Sequence, residues 1–115
     1  MIEIIRTISE LKYVVLALKE GKPVGCGAIA IYGFNSTEIK RMYVSQTVRG
    51  QRIADKILSE LENWSRELES VKCILFTGSK QPEAIRLYQR NGYYSIEKYG
   101  KLKDIADSLC FAKNL

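Results

Sequence analysis

The first part of the chain contains apolar segments whose composition and spacing predict β-strands. Lys12 to Leu18 and Val24 to Tyr32 are rich in β-formers, and turn residues separate them, which is typical of a hairpin. Glu38 to Val44 alternates in side-chain character and predicts a third strand. Met1 to Ile8 is expected to form one short strand or a turn. We therefore expect the domain to open with an antiparallel sheet.

The apolar pattern changes to a helical period after Ser45. From Ile53 to Leu68, apolar residues fall on one face and charged residues on the other, which predicts a helix of about five turns. Cys73 to Phe76 is a short apolar segment and predicts a buried strand. Pro82 then suits the first turn of a second helix, which is expected to end at Asn91.

Two further apolar segments, Tyr93 to Ile96 and Leu109 to Ala112, predict the last strands. The resulting order is β-β-β-α-β-α-β-β, a single α/β domain over residues 1–115 with a mixed, mostly antiparallel sheet and helices packed on it. Its middle part predicts a right-handed crossover of strand, loop, long helix and strand. The loop that enters the long helix is where a phosphate would bind.

Composition fits this picture of a globular domain. Apolar residues make up 46% of the chain and charged residues 27%, close to the averages for soluble proteins. No apolar run approaches the ~20 residues that a membrane-spanning helix needs, and the N-terminus lacks the apolar core of a signal peptide. We therefore expect a cytoplasmic protein without a membrane segment.

Three cysteines and the absence of histidine limit the available chemistry. Cys26, Cys73 and Cys110 lie far apart in apolar segments and are expected to be buried free thiols. Histidine, the commonest general base and metal ligand, is missing. No metal site is expected, and acid–base chemistry must depend on Glu, Asp, Tyr, Lys or Cys.

The net charge of +5 leaves two classes of partner open. Basic domains bind nucleic acids, and they also bind phosphate-rich cofactors. The basic residues are dispersed apart from Lys40–Arg41 and Arg49–Arg52, and no reading helix or set of stacking aromatics accompanies them. We expect no nucleic-acid partner, although charge alone does not decide the point.

The segment Val48 to Leu58, VRGQRIADKIL, is the strongest candidate for an anion site. Arg49 and Gly50 lie where the third predicted strand leads into the long helix. Unpaired N–H groups and the positive end of the helix dipole are present there, and arginines add charge-assisted hydrogen bonds to phosphate. The alternative is a charged helix N-terminus with Gly50 in an ordinary turn.

Four blocks in this order, EIKRMYV, VRGQRIADKIL, LFTG and QPEAIRLYQRNGY, resemble the GNAT superfamily of acetyl-CoA-dependent acetyltransferases. The resemblance extends from about Tyr13 to the C-terminus. It implies an enzyme that transfers an acetyl group from acetyl-CoA to a primary amine by direct attack, without a covalent enzyme intermediate. The acceptor amine is not identified by the sequence.

The resemblance also implies a binding loop for the pyrophosphate of acetyl-CoA. The matching positions are Arg49, Gly50, Gln51, Arg52, Ile53 and Ala54. Arg52 departs from the family pattern, which most often has glycine at that place. We expect Arg52 to lie within the first helical turn, where a positive φ is not needed.

Further cosubstrate contacts follow from the resemblance. In the family, the strand that matches Glu38 to Val44 splays from its neighbour, and its main chain binds the pantetheine arm. Met42, Tyr43 and Val44 are the matching positions, and Gln81 is an additional contact candidate.

Two side chains match the catalytic residues of the family. Tyr88 corresponds to the tyrosine that protonates the departing thiolate of CoA, and packing in the last helix is the alternative interpretation. Glu38 corresponds to a carboxylate that some relatives use as general base. Its alternative is an exposed strand residue paired with Lys40.

The chain has only about a dozen residues before Tyr13, where relatives usually have a strand and helices that wall the acceptor site. We therefore expect an open acceptor side and a homodimer that completes it.

The basic loop Lys98 to Ser108 has two interpretations. It contacts an acceptor amine that bears a carboxylate, or its lysines are simply exposed to solvent. Two alternatives to catalysis stay open: a non-catalytic acyl-CoA-binding regulatory domain and a small nucleic-acid-binding module.

Overall fold

The computed structural model describes residues 1–10 and 12–115, and their fold is a mixed sheet with two helices on one face. The strands are β1 (Ile2–Ser9), β2 (Lys12–Lys19), β3 (Lys22–Tyr32), β4 (Ser36–Val44), β5 (Lys72–Gly78), β6 (Tyr94–Ile96) and β7 (Ser108–Asn114); the α-helices are α1 (Ile53–Glu67) and α2 (Pro82–Arg90). The spatial order of the strands is β1-β2-β3-β4-β5-β7-β6.

Neighbouring strands are antiparallel except for β4 and β5, which are parallel and joined by α1. A parallel pair needs a crossover connection, and α1 supplies it. The pairing between these two strands is short, since only Ser36 to Glu38 are matched with Lys72 to Ile74. Both strands continue beyond this point without pairing to each other, and an opening forms between them.

The apolar face of α1 forms the centre of the core. Ile53, Ile57, Leu58 and Leu61 are at most 2% exposed, and they pack against inward-facing residues of the sheet such as Ile29. Burying a side chain of this size contributes roughly 1.5–3 kcal/mol. This packing fixes α1, and therefore the loop that precedes it, relative to β4.

The predicted α/β fold and order of elements are confirmed, with three differences in detail. The N-terminal segment forms a full strand of eight residues that pairs with β2. Helix α1 has 15 residues, about four turns rather than five. Cys73 and Cys110 are buried, but Cys26 is only half-buried because it faces the side of the sheet that no α-helix covers. All three thiols are free.

No described helix is long and apolar enough to cross a membrane.

A close approach between β3, β4 and α1 occurs at Gly27. A Cβ atom there would lie 2.6 Å from the sulfur of Met42, 2.8 Å from Cγ2 of Ile57 and 2.9 Å from Cδ1 of Leu61. Real Cβ atoms do not approach other atoms so closely, so only glycine allows α1 to pack this tightly on the sheet.

We predict that Gly27→Ala lowers the free energy of unfolding by about 1–3 kcal/mol, the usual effect of overpacking. Gly78→Ala is the matched control, since its Cβ would meet only Cγ of Gln81 at 3.5 Å. Urea unfolding followed by circular dichroism measures both variants. Equal stability of Gly27→Ala and the parent protein would contradict this account of the α1 packing.

Candidate active site

A cleft of about 840 Å³ lies where β4 and β5 diverge, bordered by the loop before α1 and by α2. Nearly all residues predicted to contact the cosubstrate line it: Met42, Tyr43, Val44, Arg49, Gly50, Arg52, Ile53, Ala54, Gln81 and Tyr88. Gln51 and Glu38 are not among the lining residues. Phe76 and Thr77 of β5 also line it, so the cleft brings together all four sequence blocks of the resemblance.

The loop before α1 has two residues with left-handed backbone conformation. Gly50 has a φ of 85°, and Arg52 has φ and ψ of 57° and 32°. Our expectation that Arg52 lies within the first helical turn is wrong. Arg52 is the residue immediately before α1, and its backbone is left-handed, whereas that of the helix is right-handed. A side chain in this conformation costs roughly 1–2 kcal/mol, which explains why glycine is preferred at this position.

The N-terminus of α1 is open to an anion. No side chain caps its first turn, and among the described residues no acceptor replaces the missing cap. The first N–H groups of a helix lack internal partners, and the helix dipole makes that end positive. This end of α1 borders the cleft, so the site fits a phosphate group.

Four arginines line the cleft, and two of them are held by carboxylates. Arg90 donates to Asp55 at 2.6 Å, a hydrogen bond that lowers the pKa of this carboxyl and joins α2 to the start of α1. Arg49 forms an exposed ion pair with Glu83 at 3.2 Å. Arg52 and Arg86 form no ion pair within the described part of the chain, so the cleft keeps a positive surface.

Sequence reasoning missed the contribution of α2 to this surface. Glu83, Arg86, Leu87 and Arg90 all line the cleft, and their spacing places them on one face of the helix. The available signal was the helical period of these residues.

Tyr88 combines burial with access to the cleft. The residue is 6% exposed, and its ring packs against Tyr93 and Phe111 with centroid distances of 5.7 and 6.4 Å. Burial raises the pKa of Tyr88 to about 12. Its hydroxyl has no hydrogen-bond partner among the described residues. The phenol therefore keeps its proton at neutral pH and can donate it to a group in the cleft.

Glu38 lies at the vertex of the opening, as the last β4 residue paired with β5. The neighbouring Thr37 donates to Ser65 of α1 at 2.8 Å, so Thr37 faces α1. Since side chains alternate along a strand, Glu38 points to the opposite face of the sheet. Tyr88 packs in the same core as α1. The two predicted catalytic side chains therefore lie on opposite faces.

Both carboxylate oxygens of Glu38 have partners. Tyr99 donates its hydroxyl to one oxygen at 2.5 Å, and Lys40 lies 3.4 Å from the other. The predicted pairing with Lys40 is present, but Glu38 is only 8% exposed, which does not fit the alternative of an exposed strand residue. Burial, and then the hydrogen bond with Glu38, raise the pKa of Tyr99.

Comparison with known proteins agrees with this geometry. The model of the Acetyltransferase (GNAT) family matches residues 2–93. The chain belongs to the GNAT family of acetyltransferases. It is 37% identical over 90 residues to an IAA acetyltransferase of Azospirillum brasilense, a match that covers 74% of this chain and 56% of that protein.

Solved GNAT-type structures share the fold. A candidate acyl-CoA N-acyltransferase of Klebsiella pneumoniae superposes with a TM-score of 0.87 at 32% identity, over 91% of this chain and 73% of that one. A GNAT family acetyltransferase of Elizabethkingia anophelis with acetyl-CoA bound has a TM-score of 0.81 at 20% identity, over 91% and 77% of the two chains.

This GNAT chain spans about half the length of the curated relatives it matches, between 48% and 56%. The match to the family model and the likeness to solved structures confirm the family and the fold that the sequence resemblance implied.

Buried tyrosines give this GNAT domain a predictable response to alkaline pH. Burial raises the pKa of Tyr88 and of Tyr93 well above that of an unfolded tyrosine, about 10. Above pH 10 the unfolded chain therefore loses these protons first, and the folded state becomes less favourable as pH rises. Each of the two phenols should lower the free energy of unfolding by about 1.4 kcal/mol per pH unit in this range.

Urea unfolding between pH 9 and pH 11 measures this effect. Lysines also titrate in this range, so Tyr88→Phe is the control: its stability should fall less steeply, by about the contribution of one tyrosine. Identical pH dependence of the parent protein and Tyr88→Phe would show that Tyr88 ionises in the folded state as easily as in the unfolded one.

Proposed function

We propose that this GNAT domain transfers an acetyl group from acetyl-CoA to a primary amine. The observation that carries the proposal is the cleft itself. The N-terminus of α1, Arg52 and Arg86, which form no ion pair with any described residue, and the protonated Tyr88 border the gap between β4 and β5. Membership of the family and relatives described as acetyltransferases support it. We infer that residues 1–115 act as one domain.

The cosubstrate divides between two parts of the cleft. The main chain of residues 50–54 at the start of α1 would hold the pyrophosphate, with Arg49 and Arg52 adding charge-assisted hydrogen bonds. Main-chain groups of Met42 to Val44 would hold the pantetheine arm, because no described strand pairs with β4 on its β5 side beyond Glu38. This division fits a ligand with an anionic end and an amide-containing arm.

The chemistry needs few protein groups. The amine nitrogen attacks the carbonyl carbon of the thioester, and a main-chain N–H near Met42 polarises the carbonyl oxygen. As the carbon–sulfur bond breaks, Tyr88 gives its proton to the sulfur. The attacking nitrogen loses a proton to Glu38, directly or through one water molecule. The products are an amide and CoA with a free thiol.

A non-catalytic acyl-CoA-binding domain is the second candidate. Both oxygens of Glu38 already have partners, and Glu38 does not line the cleft. A domain of this kind would bind acetyl-CoA without transferring the acetyl group.

Three further predictions stay open: a homodimer, a cytoplasmic location and the lack of a nucleic-acid partner. Light scattering at micromolar concentration tests whether the protein is a homodimer.

We predict that acetyl-CoA stabilises the protein against thermal unfolding. At 100 times its Kd, a ligand adds about 2.7 kcal/mol, which for a domain of this size raises the melting temperature by several degrees. Arg49→Gln should weaken the affinity roughly tenfold, since a charge-assisted hydrogen bond to phosphate is lost. Differential scanning fluorimetry with acetyl-CoA, CoA and ADP measures the shifts.

Glu83→Gln is the matched control for the thermal experiment. Both variants break the same exposed ion pair, but only Arg49→Gln removes the cation. Glu83→Gln should therefore bind acetyl-CoA at least as tightly as the parent protein, because a competing carboxylate is gone. No shift at millimolar acetyl-CoA would contradict the proposed function and its non-catalytic alternative alike.

Turnover separates catalysis from binding alone. Tyr88→Phe removes the proposed proton donor and should lower kcat about 100-fold, within the usual range for a general acid, while acetyl-CoA still stabilises the protein. Tyr94→Phe is the control, since Tyr94 is an exposed tyrosine of β6 that donates to Asn114. Glu38→Gln should lower kcat at least tenfold.

Release of CoA thiol with a panel of primary amines measures these rates. If acetyl-CoA stabilises the parent protein but no amine is acetylated, the domain binds without catalysis. If Tyr88→Phe turns over as fast as Tyr94→Phe, Tyr88 is a packing residue and the thiolate takes its proton from solvent.

A further inference from the structure

A second cavity lies on the face of the sheet opposite α1. Its volume is about 220 Å³, and its lining includes Lys12, Val14, Cys26, Ala28 and Arg41. The next residue of β2, Tyr13, packs against Trp64 of α1 with a centroid distance of 5.2 Å. Since side chains alternate along a strand, Val14 and the cavity belong to the other face.

The register of the sheet places this cavity on the same face as Glu38. In the antiparallel pair of β3 and β4, Ala30 is opposite Glu38, and Ala28, which lines the cavity, is opposite Lys40. Residues directly opposite each other share a face. Two residues along a strand span about 7 Å, so the cavity begins roughly this far from the carboxylate that we assign as the base.

The cavity has a positive lining. Arg41 and Lys12 form no ion pair within the described part of the chain, whereas Lys40 is already paired with Glu38. One carboxylate, that of Glu10, is present against these two cations. An anionic group of a ligand would therefore find two available cations there.

A bulge in β4 brings Arg41 to this face. The register with β3 shifts between Cys26 and Ala28, and Arg41 has a left-handed φ of 56°. The Cys26 thiol donates to the Arg41 carbonyl oxygen at 3.4 Å and holds the bulge in place. Bulges of this kind redirect a side chain, and left-handed non-glycine residues occur preferentially at functional sites.

We propose that this cavity binds a carboxylate of the acceptor, so that the substrate is a small primary amine bearing a carboxylate a few carbon atoms away. The amine would lie at Glu38 and the carboxylate at Arg41 and Lys12. This assignment rests on the proposed function, in which Glu38 takes the proton of the amine. The small volume of the cavity favours a free ω-amino acid over a longer peptide.

The test compares 6-aminohexanoate with 6-aminohexanamide, which have the same length and nearly the same shape, while only the acid carries a negative charge at its distal group. The KM of the acid should be at least tenfold lower than that of the amide, because charge-assisted hydrogen bonds form with the acid alone. Arg41→Gln should raise the KM of the acid about tenfold and leave that of the amide within twofold. Arg66→Gln, the same change at an exposed residue of α1, is the control and should alter neither KM.

A binding measurement keeps this inference separate from the proposed function. With CoA present, 6-aminohexanoate should raise the melting temperature of the parent protein more than that of Arg41→Gln, whether or not turnover occurs. Equal KM values for acid and amide, or equal stabilisation of the two proteins, would overturn the inference while leaving acetyl transfer intact. Selective acetylation of a peptide with an acidic second residue over 6-aminohexanoate would also overturn the choice of a small acceptor.

Discussion

The short parallel pairing between β4 and β5 is the constraint on which the site depends. Hydrogen bonds join the two strands only at Ser36–Glu38 and Lys72–Ile74, and each strand then pairs only with its antiparallel neighbour. Helix α1 connects them and packs on β2, β3 and β4 through a face that is almost fully buried. Full pairing of β4 and β5 would close the cleft. Because the strands diverge, the main chain of β4 beyond Glu38 has no strand partner on its β5 side within the described part of the chain.

Electrostatics then divides the cleft into regions of different chemistry. The start of α1 is positive through its dipole, and Arg52 and Arg86 lie nearby without carboxylate partners among the described residues. Asp55 neutralises Arg90 and at the same time fixes α2 against the start of α1. Tyr88, in contrast, lies among aromatic rings that keep it protonated. The cleft thus has a positive region at the start of α1, which suits an anionic group, and a neutral region at Tyr88.

The sequence predicted the fold well because its apolar periods are clear, as in α1 and in the β2–β3 hairpin. It predicted most of the lining of the cleft because the residues from Arg49 to Ala54, of which only Gln51 lies outside the lining, and Tyr88 belong to recognisable motifs. It did not predict the left-handed conformation of Arg52, since arginine carries no conformational signal of the kind that glycine does. The partners of Glu38 were also only half predicted: Lys40 is two residues away on the same strand face, whereas Tyr99 arrives through a loop whose path depends on tertiary packing.

In the proposed reaction, the positions of Tyr88 and Glu38 assign the two proton transfers to opposite faces of the sheet. They lie on opposite faces, and the vertex between β4 and β5 is where the pairing of these strands ends. A thioester held along β4 in the cleft would present its sulfur to Tyr88 and its carbonyl carbon to the side of Glu38. Tyr88 would then protonate the leaving sulfur, and Glu38 would take the proton of the attacking nitrogen. Tyr99 donates to one oxygen of Glu38 and Lys40 lies near the other, so these two residues hold the carboxylate that the proposal assigns as the base.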